Sequence, residues 1–99
     1  MRQWYIVMYD ISDPKRLHHV METTRDFGDR IQLSVFLCQL SQKDLVVLRE
    51  RLRQEINANE DQILFVRLGP AGDGDNLASD RIDNLGRPTE ISDSRTFIF

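Results

Sequence analysis

The first third of the chain contains one long apolar segment followed by one amphipathic segment. Residues 3–11, QWYIVMYDI, form a nearly unbroken apolar and aromatic run, which predicts a strand buried on both faces and central in its sheet. Asp13 followed by Pro14 is typical of a helix N-cap and first helical residue. Gly28 is predicted to end that helix as its C′ residue. The helix carries an apolar stripe at helical spacing, made of Leu17, Val20, Met21, Thr24 and Phe27.

The middle of the chain changes from a period of two to a helical period. Residues 30–40 alternate apolar and other side chains, which predicts one strand or two short ones. Ser41, with Asp44 three residues later, resembles a capping box and predicts a second amphipathic helix that ends near residue 59. The apolar positions of this helix are Leu45, Leu48, Leu52 and Ile56. Residues 63–68 predict a further strand, closed by a Gly-Pro pair.

This order of elements predicts an α+β fold of the ferredoxin-like type, with an antiparallel sheet covered by two helices. Such a fold needs a hairpin between its helices. The segment between Gly28 and Ser41 contains no Gly, Pro or Asn that would mark the turn, so a bulge or bend within one long strand stays an alternative.

The chain divides into a core and a tail. Residues 1–70 are predicted to form the core domain, and residues 71–99 a loop and terminal strand that pack on a partner subunit. From the end of the core into the tail, residues 69–80 are expected to be a loop, and residues 81–85 a short strand. The apolar end at residues 96–99 is expected to add to a sheet edge, which in so small a domain could belong to a second copy.

Charge and composition narrow the class of protein. The formal net charge is −3, but residues 1–68 hold ten basic and ten acidic residues, so the acidic excess lies in the tail. The front two-thirds is therefore neutral, and 11 of the 13 basic residues are Arg, whose planar fork suits phosphate. No apolar run approaches the roughly 18 residues of a membrane span, and a single cysteine excludes an internal disulfide. We expect a cytoplasmic protein without a membrane partner.

Asp10 is the most informative single residue, because it ends the apolar first strand where the sheet opens to solvent. As a functional residue it would bind a hard cation such as Mg²⁺. As a structural residue it would cap the following turn by accepting backbone N–H groups around Ser12 and Asp13, which is the commoner case. One carboxylate is too few for a metal site, so a second would have to come from elsewhere.

Other polar residues give weaker signals for chemistry. His18 and His19 point about 100° apart on a helix and are expected at the surface. Ser34 has neither a nucleophile-elbow motif nor an evident base beside it, and Cys38 is expected to be a packed core thiol. The cluster of Arg49, Arg51 and Arg53 is expected on a solvated helix face.

Two arginines and two aromatic residues remain candidates for nucleic-acid contact. Arg16 and Arg30 stand near the starts of predicted elements, close in sequence to Asp10 or to the second strand, and are the better candidates for phosphate contact. Tyr9 and Phe36 could stack on bases, although aromatic residues in strands belong more often to the core.

Several of these residues together resemble a known family. The order Tyr9-Asp10-Ile11-Ser12-Asp13, then 28–30, then Gln32-Leu33-Ser34-Val35-Phe36, then Glu60-Asp61-Gln62-Ile63 is similar to that of the second core CRISPR-associated protein, the Cas Two family. The match covers about residues 3–70, and no single motif in it is as specific as a zinc signature.

The resemblance implies a homodimer in which the two copies of Asp10 face each other across a two-fold axis. Such a pair of like charges would favour a cation between them, so it implies a Mg²⁺ or Mn²⁺ site. The implied catalytic residues are Asp10, Ser34 and Phe36, the last two in the wall of the dimer cleft. Tyr9, Arg16 and Arg30 are the implied nucleic-acid contacts.

The resemblance leaves two functions open. In the first, which we favour, the dimer is a scaffold that binds duplex DNA together with the CRISPR integrase during spacer acquisition, because a neutral front portion needs a basic partner to hold DNA. In the second, it is a metal-dependent endonuclease that acts on RNA or DNA. A third hypothesis is a toxin-type or regulatory domain that shares only the fold.

Overall fold

The computed structural model describes residues 1–72 and 82–88. Their elements are β1 (Arg2–Asp10), α1 (Pro14–Arg25), β2 (Gly28–Gln32), β3 (Val35–Leu40), α2 (Gln42–Glu55) and β4 (Gln62–Ala71). Neither α1 nor α2 has the length and apolar character needed to cross a membrane.

The four strands form one antiparallel sheet in the order β2-β3-β1-β4. The predicted ferredoxin-like arrangement is therefore confirmed, with β1 at a central position. The hairpin that the fold requires is present, and its turn lies at Leu33 and Ser34. A bulge between Arg30 and Gln32 accompanies it in β2, so the strand pairing makes the turn without a Gly, Pro or Asn.

The burial of β1 differs from its prediction. Only alternate residues are buried, namely Tyr5, Val7 and Tyr9, whereas Trp4, Ile6 and Met8 on the opposite face are partly exposed. The expectation of burial on both faces is wrong for the single chain, because both helices pack on the same face of the sheet.

The core lies between the helices and the face of Tyr5, Val7 and Tyr9. It is completed by Phe36, Cys38 and Leu40 from β3, Val20 from α1, and Leu48 and Leu52 from α2. The opposite face carries no helix among the described residues, and we call it the helix-free face. Cross-strand pairing puts apolar side chains on it from three strands: Trp4, Ile6 and Met8; Val35 and Leu37; Leu64 and Val66.

Both predicted helix N-caps are confirmed. The Asp13 carboxylate accepts hydrogen bonds from the N–H groups of Lys15 and Arg16, at 3.0 and 2.9 Å. Ser41 Oγ accepts from the N–H of Asp44 at 3.0 Å. These contacts lie within one helical turn, which is why the sequence pattern predicts them.

The end of α1 was predicted wrongly. The helix ends at Arg25, with Asp26 as C-cap, and Gly28 is the first residue of β2 rather than a C′ residue. Its partner in the β2–β3 pair is Cys38. A Cβ at Gly28 would overlap the sulfur of Cys38 and the carbonyl oxygen of Leu37, so close strand packing explains this glycine.

The second half of the chain also differs in its boundaries. Helix α2 ends at Glu55 rather than near residue 59, and β4 continues through the Gly-Pro pair to Ala71, where residue 70 still pairs with Gln3. Residues 69–71 are thus strand and not loop. Residues 82–85 have no regular structure, which corrects the short strand predicted there. The loop predicted at 73–80 and the strand predicted at 96–99 lie outside the described residues.

Candidate functional site

Three segments meet at the carboxyl end of β1. The N–H of Tyr9 donates to the carbonyl oxygen of Ser34 in the β2–β3 turn at 3.1 Å, and Asp10 pairs with Gln62, the first residue of β4. Together these segments line a shallow depression of about 230 Å³. Its lining residues are Met8, Tyr9, Asp10, Ser34, Val35, Gln62 and Leu64.

Asp10 lies at the end of the row that contains Ile6 and Met8, so it belongs to the helix-free face. Its carboxylate is exposed and makes no hydrogen bond or ion pair with any residue in 1–72 or 82–88. The capping role considered for Asp10 is therefore absent from the structure. Another carboxylate, that of Asp61, accepts the N–H of Ser12 at 3.0 Å instead.

The two aromatic candidates are core residues in the single chain. Phe36 is fully buried, and its ring centroid lies 6.2 Å from that of Tyr9. Tyr9 lines the depression although it is only 7% exposed, and its hydroxyl donates to the carbonyl oxygen of Leu33 at 3.4 Å. Burial raises the pKa of its phenol, and the positive charges of Arg30 and Arg25 oppose that rise. Arg25 and Arg30 therefore lie close enough to the Tyr9 phenol to act on it electrostatically.

The two candidate arginines have different surroundings. Arg30 lies on β2, paired with Phe36, and its guanidinium donates to the sulfur of Met21 at 3.6 Å. Arg16 is held by two carboxylates: its Nε donates to Asp61 Oδ2 at 2.8 Å and its Nη2 donates to Glu60 at 3.0 Å. Of the predicted residues, the structure brings together Asp10, Tyr9 and Ser34, while Arg16 belongs to a separate cluster.

A sequence model of one family, described as CRISPR associated protein Cas2, matches residues 1–75 of the chain. The chain belongs to the Cas2 family. It is 37% identical over 94 residues to a protein of Rhodospirillum rubrum named CRISPR-associated endoribonuclease Cas2 1, covering 95% of this chain and 88% of that protein. A Geobacter sulfurreducens protein named CRISPR-associated endoribonuclease Cas2 is 37% identical over 71 residues, covering 72% and 75% of the two chains.

Solved Cas2 structures share the fold. Streptococcus pyogenes Cas2, crystallised at pH 6.5, superposes with a TM-score of 0.69 and 33% identity over 84% of this chain and 99% of that chain. A hypothetical protein of Thermus thermophilus superposes with a TM-score of 0.75 and 28% identity, over 93% and 100%. The expected family is therefore confirmed, which favours a CRISPR role over the toxin-type or regulatory hypothesis.

The oxygen donors in the depression of this Cas2 chain suit a hard cation. Asp10 offers a carboxylate, Ser34 a hydroxyl and Gln62 an amide oxygen, and Mg²⁺ needs only one or two carboxylates because it keeps several waters. Among the described residues, no three His, Cys, Asp or Glu side chains group closely enough to hold a metal. Among the residues that line the depression, Asp10 is the one carboxylate.

Sequence reasoning assigned no role to two residues of this region. Gln62 also belongs to a segment that carries the family resemblance, but it lies beside Asp10 only because β4 pairs with β1. Asp61 contributed to the family resemblance, yet its contacts with Ser12, Arg16 and Asn57 span 49, 45 and 4 residues of sequence. A carboxylate directly before an apolar strand was the available signal for Asp61.

Proposed function

We propose that this Cas2 chain acts in CRISPR adaptation as a homodimeric scaffold, which binds duplex DNA together with the CRISPR integrase during spacer acquisition. Family membership supports the adaptation role. The observation that carries the scaffold proposal is the helix-free face, since it presents apolar side chains from three strands on a single chain.

The helix-free face supports the dimer. Leu64 and Val66 are 45% and 39% exposed, and Ile6 and Met8 beside them are partly exposed. Exposed apolar surface of this kind is stabilised when a second protein surface covers it. Two copies of this face can pack against each other about a two-fold axis, since such an interface uses the same surface on both subunits. The second Asp10 would then lie on the same side as the first.

Charge supports the need for a partner. Residues 1–68 carry as many acidic as basic side chains, so the front portion has little net attraction for the phosphate backbone. A basic partner such as the integrase would supply that attraction, while the two-fold Cas2 dimer would present two equivalent surfaces to it.

The scaffold proposal is tested by co-purification and by spacer acquisition in cells. We expect the integrase to co-purify with the wild-type chain, and duplex DNA to bind the pair more tightly than either protein alone. Deletion of the chain should abolish acquisition, and re-expression of Asp10→Asn should restore it. Absence of a complex, together with normal acquisition in the deletion strain, would overturn the proposal.

A metal-dependent endonuclease is the second candidate, and the unbonded Asp10 carboxylate favours it. A carboxylate that neither caps the turn nor pairs with an arginine among the described residues is available for a ligand. Relatives named endoribonuclease, and one from Thermus thermophilus named endonuclease, have sequences similar to this chain.

In this second candidate, the Asp10 pair of the dimer would hold Mg²⁺ or Mn²⁺, which supplies a bound water of lowered pKa for attack on a phosphodiester. Arg30 would offset charge on the phosphate, because it lies on the strand next to the β2–β3 turn. Ser34 and Gln62 would orient water or substrate at the rim. The roles predicted for Tyr9 and Phe36 stay predictions.

Purified protein with Mg²⁺ and labelled RNA or duplex DNA tests the nuclease. Cleavage should require metal and should fall at least about a hundredfold in Asp10→Asn. Asp26→Asn is a matched control, since Asp26 is an exposed carboxylate on the C-cap of α1 and pairs only with Arg51 among the described residues. Cleavage that survives Asp10→Asn would exclude the metal mechanism.

A further inference from the structure

One buried carboxylate forms hydrogen bonds with both connections that flank the candidate site, the β1–α1 connection and the α2–β4 connection. The side chain of Asp61, in the α2–β4 connection, is 0% exposed, and that of Arg16, in the first turn of α1, is 27% exposed. Arg16 Nε donates to Asp61 Oδ2 at 2.8 Å, and Arg16 Nη2 donates to Asp61 Oδ1 at 3.2 Å. Two of the three guanidinium nitrogens, Nε and Nη2, therefore donate to the two oxygens of one carboxylate, which is the strong bidentate geometry for this pair.

The same carboxylate also accepts backbone N–H groups from both connections. Ser12 N donates to Asp61 Oδ1 at 3.0 Å, and Asn57 N donates to Asp61 Oδ2 at 2.9 Å. Ser12 Oγ donates to Asp61 Oδ1 at 3.2 Å. We call these four residues, Ser12, Arg16, Asn57 and Asp61, the Asp61 clamp.

The clamp determines which carboxylate caps the turn after β1. An aspartate at the end of a strand commonly accepts the N–H two residues later, which for Asp10 is that of Ser12. In this structure that N–H is occupied by Asp61, and Asp10 points to the helix-free face with no partner among the described residues. The carboxylate that caps this turn therefore belongs to a residue 51 places after Asp10 in the chain.

We propose that Asp61 is a positioning residue, which takes the Ser12 N–H that Asp10 would otherwise cap and so keeps the Asp10 carboxylate free for a ligand. Arg16 acts through Asp61, because its fork holds that carboxylate in place, and it is not a phosphate contact. The inference rests on the metal-binding function proposed for Asp10, and it revises the nucleic-acid role predicted for Arg16.

The low pKa of Asp61 agrees with this role. The hydrogen bond from Arg16 holds the pKa of Asp61 well below its usual range, against the opposing effect of burial, and the N–H groups of Asn57 and Ser12 lower it further. Asp61 thus remains an ionised acceptor wherever the protein is folded near neutral pH.

A first measurement needs no substitution. In the wild-type protein, a through-hydrogen-bond NMR coupling should join the Ser12 amide nitrogen to the side-chain carboxyl carbon of Asp61, and none should join it to that of Asp10. A coupling to Asp10 in its place would overturn the proposal directly.

Substitutions then test the consequence for Asp10. In Asp61→Ala, we expect the Asp10 carboxyl resonance to shift and the Ser12 amide to couple to Asp10. The affinity for Mn²⁺ alone should fall by about tenfold or more, the usual effect of losing an outer positioning group. Asp61→Asn, which keeps an acceptor oxygen, should rescue part of the affinity. If Asp61→Ala does not fold, Asp61→Asn and Arg16→Lys provide the same comparison.

The matched control is Arg53→Lys, which disturbs another bidentate ion pair. Arg53 donates to Glu50 at 3.0 and 2.7 Å on the exposed face of α2. This variant should leave the Asp10 resonance and the Mn²⁺ affinity unchanged. An unchanged Asp10 resonance and Mn²⁺ affinity in a folded Asp61→Ala protein, as in the control, would overturn the proposal.

The role of Arg16 is separated from phosphate contact by salt dependence. If Arg16 contacts phosphate, Arg16→Ala reduces the slope of log affinity against log salt by about 0.9 for duplex DNA. We expect the slope to stay unchanged, and Arg16→Lys to shift the Asp10 resonance although it keeps the charge. If the wild-type protein does not bind Mn²⁺, the metal-binding function proposed for Asp10 fails, whereas the NMR coupling still decides the role of Asp61.

Discussion

At the scale of single residues, some residues that no local sequence pattern marks make specific packing contacts or hydrogen bonds. Gly28 is enclosed by Cys38 and by the backbone of Leu37, and Asp61 is enclosed by the two connections that it joins. Burial raises the pKa of the Cys38 thiol to about 12, with a further contribution from Asp29, so this cysteine is a core residue without reactivity near neutral pH.

We predict that Gly28→Ala destabilises the protein by about 1–3 kcal/mol, because an added Cβ overlaps the Cys38 sulfur and the Leu37 carbonyl oxygen. Urea unfolding measures the change. Gly72→Ala is the control, since a Cβ there meets no atom within 4 Å, and it should change stability by less than about 0.5 kcal/mol. Equal effects of the two substitutions would contradict the packing explanation.

The Asp61 clamp predicts a pH dependence of stability. The pKa of Asp61 is lowered in the folded protein, chiefly by Arg16, so its contribution is present above the unfolded pKa of about 3.9 and is lost as the pH falls below that value. Urea unfolding of the wild type between pH 3 and 7 should therefore show a steeper loss on acidification than that of Asp61→Asn. Parallel curves for the two proteins would show that Asp61 is not the responsible group.

At the scale of elements, the helices begin where their caps lie, and the strands end where pairing ends. Asp13 and Ser41 bond to N–H groups two or three residues away, so each helix start is defined locally. In contrast, β4 extends to Ala71 because β1 continues to pair with it beyond the bulge between Trp4 and Tyr5. Strand ends are therefore less predictable than helix starts in this chain.

We predict that Asp13→Ala costs about 1 kcal/mol of stability, because two N–H groups of the first turn lose their acceptor. Asp13→Asn, which keeps a good capping oxygen, should cost clearly less. Thermal unfolding by circular dichroism compares the two variants. An Asn variant as unstable as the Ala variant would mean that charge, and not capping, explains the role of Asp13.

At the scale of the whole molecule, the two faces of the sheet differ in what covers them. Both helices lie on one face, and ion pairs and hydrogen bonds such as Thr23 to Glu55 at 2.7 Å and Arg51 to Asp26 at 3.3 Å join them. The helix-free face presents apolar side chains and ends at Asp10. The proposed dimer and the proposed cation site therefore share one surface.

We predict that Val66→Glu weakens self-association of the chain, because it puts a charge in the apolar part of the helix-free face. Val47→Glu is the matched control: Val47 is 41% exposed on α2 and Val66 is 39% exposed on β4, so the two substitutions differ mainly in their face. Sedimentation velocity measures the oligomeric state. Unchanged association of Val66→Glu, or equal weakening by both variants, would exclude this face as the dimer interface.

The sequence by itself determined the presence of β1, α1, α2 and β4, the central place of β1, both helix caps and the place of Asp10 at the end of β1, because these depend on contacts within a few residues or on a strong hydrophobic period. Only the tertiary structure decided the turn at Leu33 and Ser34, the strand position of Gly28 and the partner of Ser12. Each of these depends on groups brought together by strand pairing or by the packing of distant connections, and such contacts leave little trace in the local pattern. Asp10 illustrates both kinds of information: its place at the end of β1 is local, whereas the carboxylate that caps the turn after it belongs to Asp61, which is distant in sequence.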